Sequence, residues 1–308
     1  MRRAPITTAA ALAAALLVAG CKPDFGQPPS LVSGPRLLAF KGEPAEVRPG
    51  DTVAVTPLAV SPMGTDAQPM IDWALCLTPK PLDENNVVAG DCLADGDGVM
   101  PIGSGPTVSA EVPLDACALF GPDPPPQPPG EPPLRPRDPD VSGGYYQPVR
   151  ARDAGLTGFG LERVTCNLAQ AGAQISVDFA MRYHANANPT LLPLAASIGG
   201  QPVSLGAIPI NAKVDFNASW PSESAETYPV YDIVGQQLVD HRESLRVSWF
   251  ATAGSFEHDT SGRDENDAAT STDDVWTAPA TPGLVHLWLV LRDSRGGVDF
   301  ASYDVMVE

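Results

Sequence analysis

The chain has 308 residues with a formal net charge of −18, from 19 Lys and Arg against 37 Asp and Glu. Its 34 Pro and 28 Gly, about a fifth of all positions, exclude a helical bundle or coiled coil, which needs long runs free of both. A surface this acidic repels phosphate backbones, so nucleic acid is excluded as a partner. What remains is a turn-rich β protein, long enough for one large domain or two of sandwich size.

The chain opens with an export pattern. Arg2 and Arg3 form a cationic start, and residues 9–19 form an apolar core far shorter than the ~20 residues of a spanning helix. That core runs into Val18-Ala19-Gly20-Cys21, which resembles the lipobox of bacterial lipoproteins; the alternative is an ordinary signal peptide with a chance Cys after Gly. The resemblance implies that residues 1–20 are a cleaved signal peptide and that Cys21 becomes the lipidated first residue. Losing two Arg would take the mature chain to −20. Lys22 stands where an inner-membrane retention signal would usually have Asp, which favours an outer-membrane lipoprotein, facing the periplasm or the surface. Residues 21–35, rich in Pro, Gly and Ser beyond the Cys, read as a flexible tether.

After it come short stretches of period-two alternation. Residues 52–60 hold Val53 and Val55, then Leu58 and Val60, so the alternation switches phase at Pro57, as at a bulge or edge strand. Ile71, Trp73, Leu75 and Leu77 share one strand face, and Val108, Ala110, Val112 and Leu114 share another. Residues 121–140 hold ten Pro in twenty positions and read as a polyproline-type excursion, either a linker or, preferably, a loop within the first domain. The cleanest alternation is Ile175, Val177, Phe179, Met181 and Tyr183, read as a strand. A second unit begins near Asn188-Pro189. Leu245, Val247 and Trp249 alternate; residues 285–291 are apolar on both faces, as in a central buried strand; Tyr303, Val305 and Val307 close the chain.

Four cysteines remain in the exported chain, Cys76, Cys92, Cys117 and Cys166, which suggests two disulfides with three possible connectivities. Sequential pairing, Cys76 with Cys92 and Cys117 with Cys166, is the expectation. No CxxC or paired His spacing favours a metal instead.

Residues 247–256 (VSWFATAGSF), 276–283 (WTAPATPG) and 287–297 (LWLVLRDSRGG) resemble the later strands of bacterial immunoglobulin-like and PKD-like modules. Asp293 to Gly296 keeps the Asp-x-x-Gly spacing of their acidic turn. RPGDTV at 48–53 and Trp73 resemble the same class more loosely, and the whole chain is similar to two-module lipoproteins of predatory or social soil bacteria. That resemblance implies an all-β fold of two immunoglobulin-like β-sandwich domains, 36–186 and 187–308, and no activity.

No GxSxG, HExxH or phosphate-cradling loop is present, and no cofactor is expected. The acidic runs around Asp91, Asp95 and Asp97 and from Asp264 to Asp274 read as solvated loops, the first lacking the twelfth-position Glu of a calcium loop, so no metal site is expected. The chain therefore reads as a non-catalytic, lipid-anchored envelope protein that contacts another envelope protein or an extracellular ligand. The alternative is a carbohydrate-binding accessory lipoprotein serving a separate enzyme or transporter, using Tyr145, Tyr146, Tyr228 and Tyr231 as stacking faces.

Overall fold

The computed structural model describes residues 26–80, 87–123, 129–130 and 140–308. The export segment, Cys21 and most of the Pro-rich run 121–140 lie outside these residues.

The first unit contains strands β1 (Arg36–Glu43), β2 (Glu46–Val47), β3 (Thr52–Ser61), β4 (Gly64–Thr65), β5 (Asp72–Cys76), β6 (Val99–Ser104), β7 (Val108–Glu111), β8 (Gly144–Asp153) and β9 (Leu156–Thr165), with helices α1 (Ala116–Phe120) and α2 (Ala173–Arg182). One sheet runs β1-β3-β4 with β7 also on β3; the other runs β2-β9-β8-β5-β6. Alternate residues Val53 and Val55, Trp73 and Leu75, Val108 and Ala110, and Val149 and Ala151 meet between the sheets as one buried core. Phe40 meets Trp73 edge-on, ring centres 5.9 Å apart. Beneath Phe40 lie Gly158 and Gly160: a methyl added at either would sit 2.9 Å from the Phe40 side chain, so these glycines let β1 approach β9.

Two expectations are corrected here. Strand β3 shows no phase switch at Pro57. It pairs with β1 from Ala54 to Val60, and the register shift of that pairing lies on β1, between Leu37 and Ala39. Val53 and Val55 face the sandwich core, whereas Leu58 and Val60 face the opposite side and are buried there against the second unit. A strand buried on both faces mimics a phase change. Residues 175–183 are likewise not a strand: Ala173–Arg182 is a helix. Ile175, Phe179 and Tyr183, four apart, pack into one cluster, while Val177 and Met181 are exposed at 54% and 70%. Two exposed apolar residues between the buried ones produced the false period of two.

The cysteines pair sequentially. Cys76–Cys92 has its Cα atoms 5.5 Å apart and Cys117–Cys166 has them 5.7 Å apart.

The second unit contains β10 (Ala195–Ile198), β11 (Gln201–Pro202), β12 (Lys213–Ser219), β13 (Thr227–Asp232), β14 (Gln237–Arg242), β15 (Leu245–Ala251), β16 (Ser255–Phe256), β17 (Thr260–Arg263), β18 (Ser271–Thr277), β19 (Gly283–Asp293) and β20 (Val298–Val307). Sheets β11-β10-β12-β18-β16 and β17-β15-β19-β20 form a second sandwich, and the fold is all-β in class. Phe216 lies between Trp249 and Trp276 in its core, with ring centres 6.4 and 5.9 Å away.

The two-faced character of β19 has a direct cause. Val285, Leu287, Leu289 and Leu291 face the second core; Trp288 and Val290 face outward and meet Leu38, Ala39, Leu58 and Val60 of the first unit. Trp288 donates its indole N–H to Thr65 Oγ1 at 2.8 Å across this seam. The expected tether is docked at its far end: Val32, fully buried in the seam, donates its N–H to Ala251 O, and Ala251 N–H returns to Ser30 O, both at 2.9 Å. The β13–β14 hairpin leaves the second sandwich and packs Tyr231 and Leu238 against α2.

Candidate functional site

Beside the apolar seam lies a group of buried charges that local sequence pattern does not connect. Strand β2 carries Glu46, whose side chain is fully buried. Its carboxylate accepts hydrogen bonds from Thr165 Oγ1 (2.8 Å), Tyr183 Oη (2.7 Å) and Asn186 N–H (2.8 Å), and pairs with Arg163 Nε at 3.2 Å. Arg163 on β9 donates to Tyr146 Oη at 3.1 Å and Ser142 Oγ at 3.0 Å. Burial alone would lower its pKa, but Tyr183 and Glu46 more than offset that and hold the guanidinium charged.

The second unit contributes the mirror arrangement. Arg295, in the acidic turn after β19, is 2% exposed. It donates Nε to Glu243, Nη2 to Glu226 Oε2 at 2.6 Å and Nη1 to His184 O at 3.1 Å, and lies over the Tyr228 ring, 4.6 Å from its centre. Asp293 shapes the turn by accepting the N–H groups of Arg295 and Gly297, each at 2.8 Å. Burial, and then the Asp293 charge, push Glu243 up to about 7 against the pull of Arg295.

The connecting residues join the halves. Asn186 donates its backbone N–H to Glu46 and its side-chain amide to Asp293 Oδ2 at 3.2 Å. Asn188 donates to Gly42 O at 2.7 Å and accepts Val298 N–H at 2.8 Å. Tyr146 donates its hydroxyl to Arg295 O at 3.1 Å, crossing the seam directly.

The four candidate tyrosines gather at or near this seam. Tyr145 and Tyr231 are buried at 2% and 4%. Tyr146 and Tyr228 each carry a guanidinium, Arg163 and Arg295 respectively, on one ring face. Tyr145 and Tyr231 therefore present no exposed ring of the kind sugar stacking uses. Cys21 lies outside the described residues. Asp95, in the acidic run 91–97, pairs with Arg150 at 2.6 Å and Arg152 at 2.9 Å. Among the described residues no group of three or more His, Cys, Asp or Glu is placed to hold a metal ion.

The hydroxyls beside Glu46, those of Thr165 and Tyr183, are held in the hydrogen bonds already described. His286 pairs with Asp304 at 2.8 Å, and among the described residues no side-chain hydroxyl or thiol hydrogen-bonds to its ring. The buried charges Arg163 and Glu46, and Arg295 and Glu243, are matched to one another.

No protein-family model matches the chain, and neither does any curated protein. Solved structures do. The D00-D0 domain of intimin is similar at 9% identity and TM-score 0.26, over 89% of this chain and 98% of that one. The Yersinia pseudotuberculosis adhesin InvE matches at 10% identity and TM-score 0.24, over 88% of this chain and 58% of that one. The C-terminal domain of the Streptococcus pyogenes antigen I/II-family protein AspA matches at 9% identity and TM-score 0.23, over 90% of this chain and 99% of that one. These scores carry no argument about function. Among the described residues no helix is long and apolar enough to cross a membrane.

Proposed function

We propose that this chain is a non-catalytic, lipid-anchored envelope protein, held by Cys21 in the outer membrane, that presents two docked β-sandwiches to a protein partner. The observation that supports this reading is the seam. Arg163 pairs with Glu46 within the first unit and Arg295 with Glu243 within the second, and Asn186, the Tyr146 hydroxyl and the 4.0 Å approach of Arg295 to Glu46 tie these buried pairs together across the seam. The tyrosines that a carbohydrate reading needs sit in the same contact or in the packing beside it. A scaffold or adhesive module needs such a body, because a fixed geometry lowers the cost of ordering on binding.

The test is crosslinking in intact cells followed by pull-down, comparing the native chain with Cys21→Ser and analysing bound proteins and glycans. A specific envelope protein recovered with the anchored form is expected. Glycan recovered with either form would replace this reading by the carbohydrate one. Retention of Cys21→Ser in the membrane fraction would overturn the lipid anchor.

A further inference from the structure

Strand β9 has one open edge. Its partner β8 lies on one side, and β2 covers the other only at Arg163 and Val164. Cys166 N–H donates to Gly143 O at 2.8 Å, and counting the antiparallel pairs from there turns the N–H and C=O of Thr157, Phe159 and Leu161 away from β8. Pro148, which has no N–H, stands opposite Leu161 in agreement with that alternation. Those backbone groups have no backbone partner among the described residues.

The open edge forms one wall of a groove of about 400 Å³, within the range of peptide and small-ligand sites. Leu37, Leu38, Ala39 and Phe40 of β1 form the facing wall, and Arg292 projects into the groove from the end of β19. Arg292 donates Nη2 to Leu38 O at 3.0 Å, the carbonyl of the β1 bulge residue, which is its structural task. One carbonyl uses one of five donors. Arg292 has no carboxylate partner among the described residues, and its cross-strand neighbour on β15 is another cation, Arg246. Burial holds its pKa below the usual arginine value, with no opposing charge to raise it. In a chain of net charge −18 an unpaired, half-buried guanidinium is a specific invitation to an anion.

We propose that this groove binds an extended segment of a partner protein by strand addition to Thr157–Leu161, with an Asp or Glu side chain of that segment paired to Arg292. Strand addition supplies affinity through backbone hydrogen bonds and specificity through alternate side chains. On an added strand, side chains facing β1 meet Leu37 and Phe40 and, at one position, the guanidinium. This inference rests on the protein-interaction reading above and names its surface.

The probe is a library of roughly eight-residue peptides, acetylated and amidated at their ends, β-branched at alternate positions, with either Glu or Gln at the centre. They are titrated against the full chain, Arg292→Gln, Arg292→Lys and Leu161→Pro. Pro at 161 removes an outward N–H and leaves the β8 ladder intact. Glu-centred peptides are expected to bind roughly tenfold or more tighter than their Gln isosteres. Arg292→Gln abolishes that difference, Arg292→Lys retains part of it, and Leu161→Pro abolishes binding with an unchanged circular dichroism spectrum. No binding to the native chain, equal affinity for Glu and Gln peptides, or binding that survives Leu161→Pro would each overturn the proposal. Such a result would leave the interaction reading standing if the pull-down still recovered a partner, whereas an empty pull-down beside Glu-selective peptide binding would remove the envelope partner and keep the groove.

Discussion

Glu162 is an acid whose surroundings oppose its ordinary charged state. It lies opposite Gln147 with its side chain on the core face of β9, and is 4% exposed. Burial, and then the nearby Glu46 charge, push its pKa up to about 9. The folded state therefore keeps a proton that the unfolded chain releases near its ordinary carboxylate value, and stability falls as pH rises from about 4.5 to about 9. Glu162→Gln, which keeps the shape and cannot ionise, is expected to flatten that slope and to stabilise the protein by on the order of 2 kcal/mol at pH 8. Chemical denaturation at pH 5 and pH 8 checks it: an equal slope in both proteins would show that Glu162 is ionised in the fold. Sequence could not reveal this residue. A Glu beside an Arg on a strand reads as a solvated pair, and only its place between two sheets makes it a buried acid.

Element by element, the strands were legible wherever one face meets a core and the other meets water, as in β15 with Leu245, Val247 and Trp249. Residues 285–291, apolar on both faces, were also legible as the buried strand β19, whereas β3, buried on both faces around Pro57, and α2, a helix that exposes apolar residues, misled. The helix makes its own prediction. Phe179→Ala is expected to cost about 3 kcal/mol, and Val177→Ser less than about 0.5 kcal/mol. Similar losses at both positions, measured by denaturant midpoints, would favour the strand reading instead. The disulfides close loops of different length, with sequence separations of 49 for Cys117–Cys166 and 16 for Cys76–Cys92. Chain entropy then assigns a loss of about 4 kcal/mol to the double Ser variant of the first and about 3 kcal/mol to that of the second. Thermal unfolding of the two variants should rank them in that order, and thiol titration of the unfolded, unreduced native chain should find none of the four cysteines free.

At the scale of the whole molecule, the contact between the sandwiches decides behaviour. Trp288 is fully buried although it points away from the core of its own sandwich. Trp288→Ala is expected to cost about 3–5 kcal/mol, felt at the seam rather than within the second core. Calorimetry should show the native chain unfolding in one transition and the variant in two, with residues 183–190 becoming open to protease. One transition at a lower temperature would place Trp288 in the second core instead. Composition, alternation and cysteine context, which are local properties of the chain, by themselves determined a β-rich class, a sandwich pattern and a pair of bridges. The tertiary structure alone decided that Glu46 meets Arg163, that Arg295 meets Glu226 and Glu243, and that Arg292 is left without a carboxylate. Those pairings join residues 52 to 117 positions apart, and burial between two packed sheets, which no local window records, sets whether a charge is solvated, matched or open to a partner.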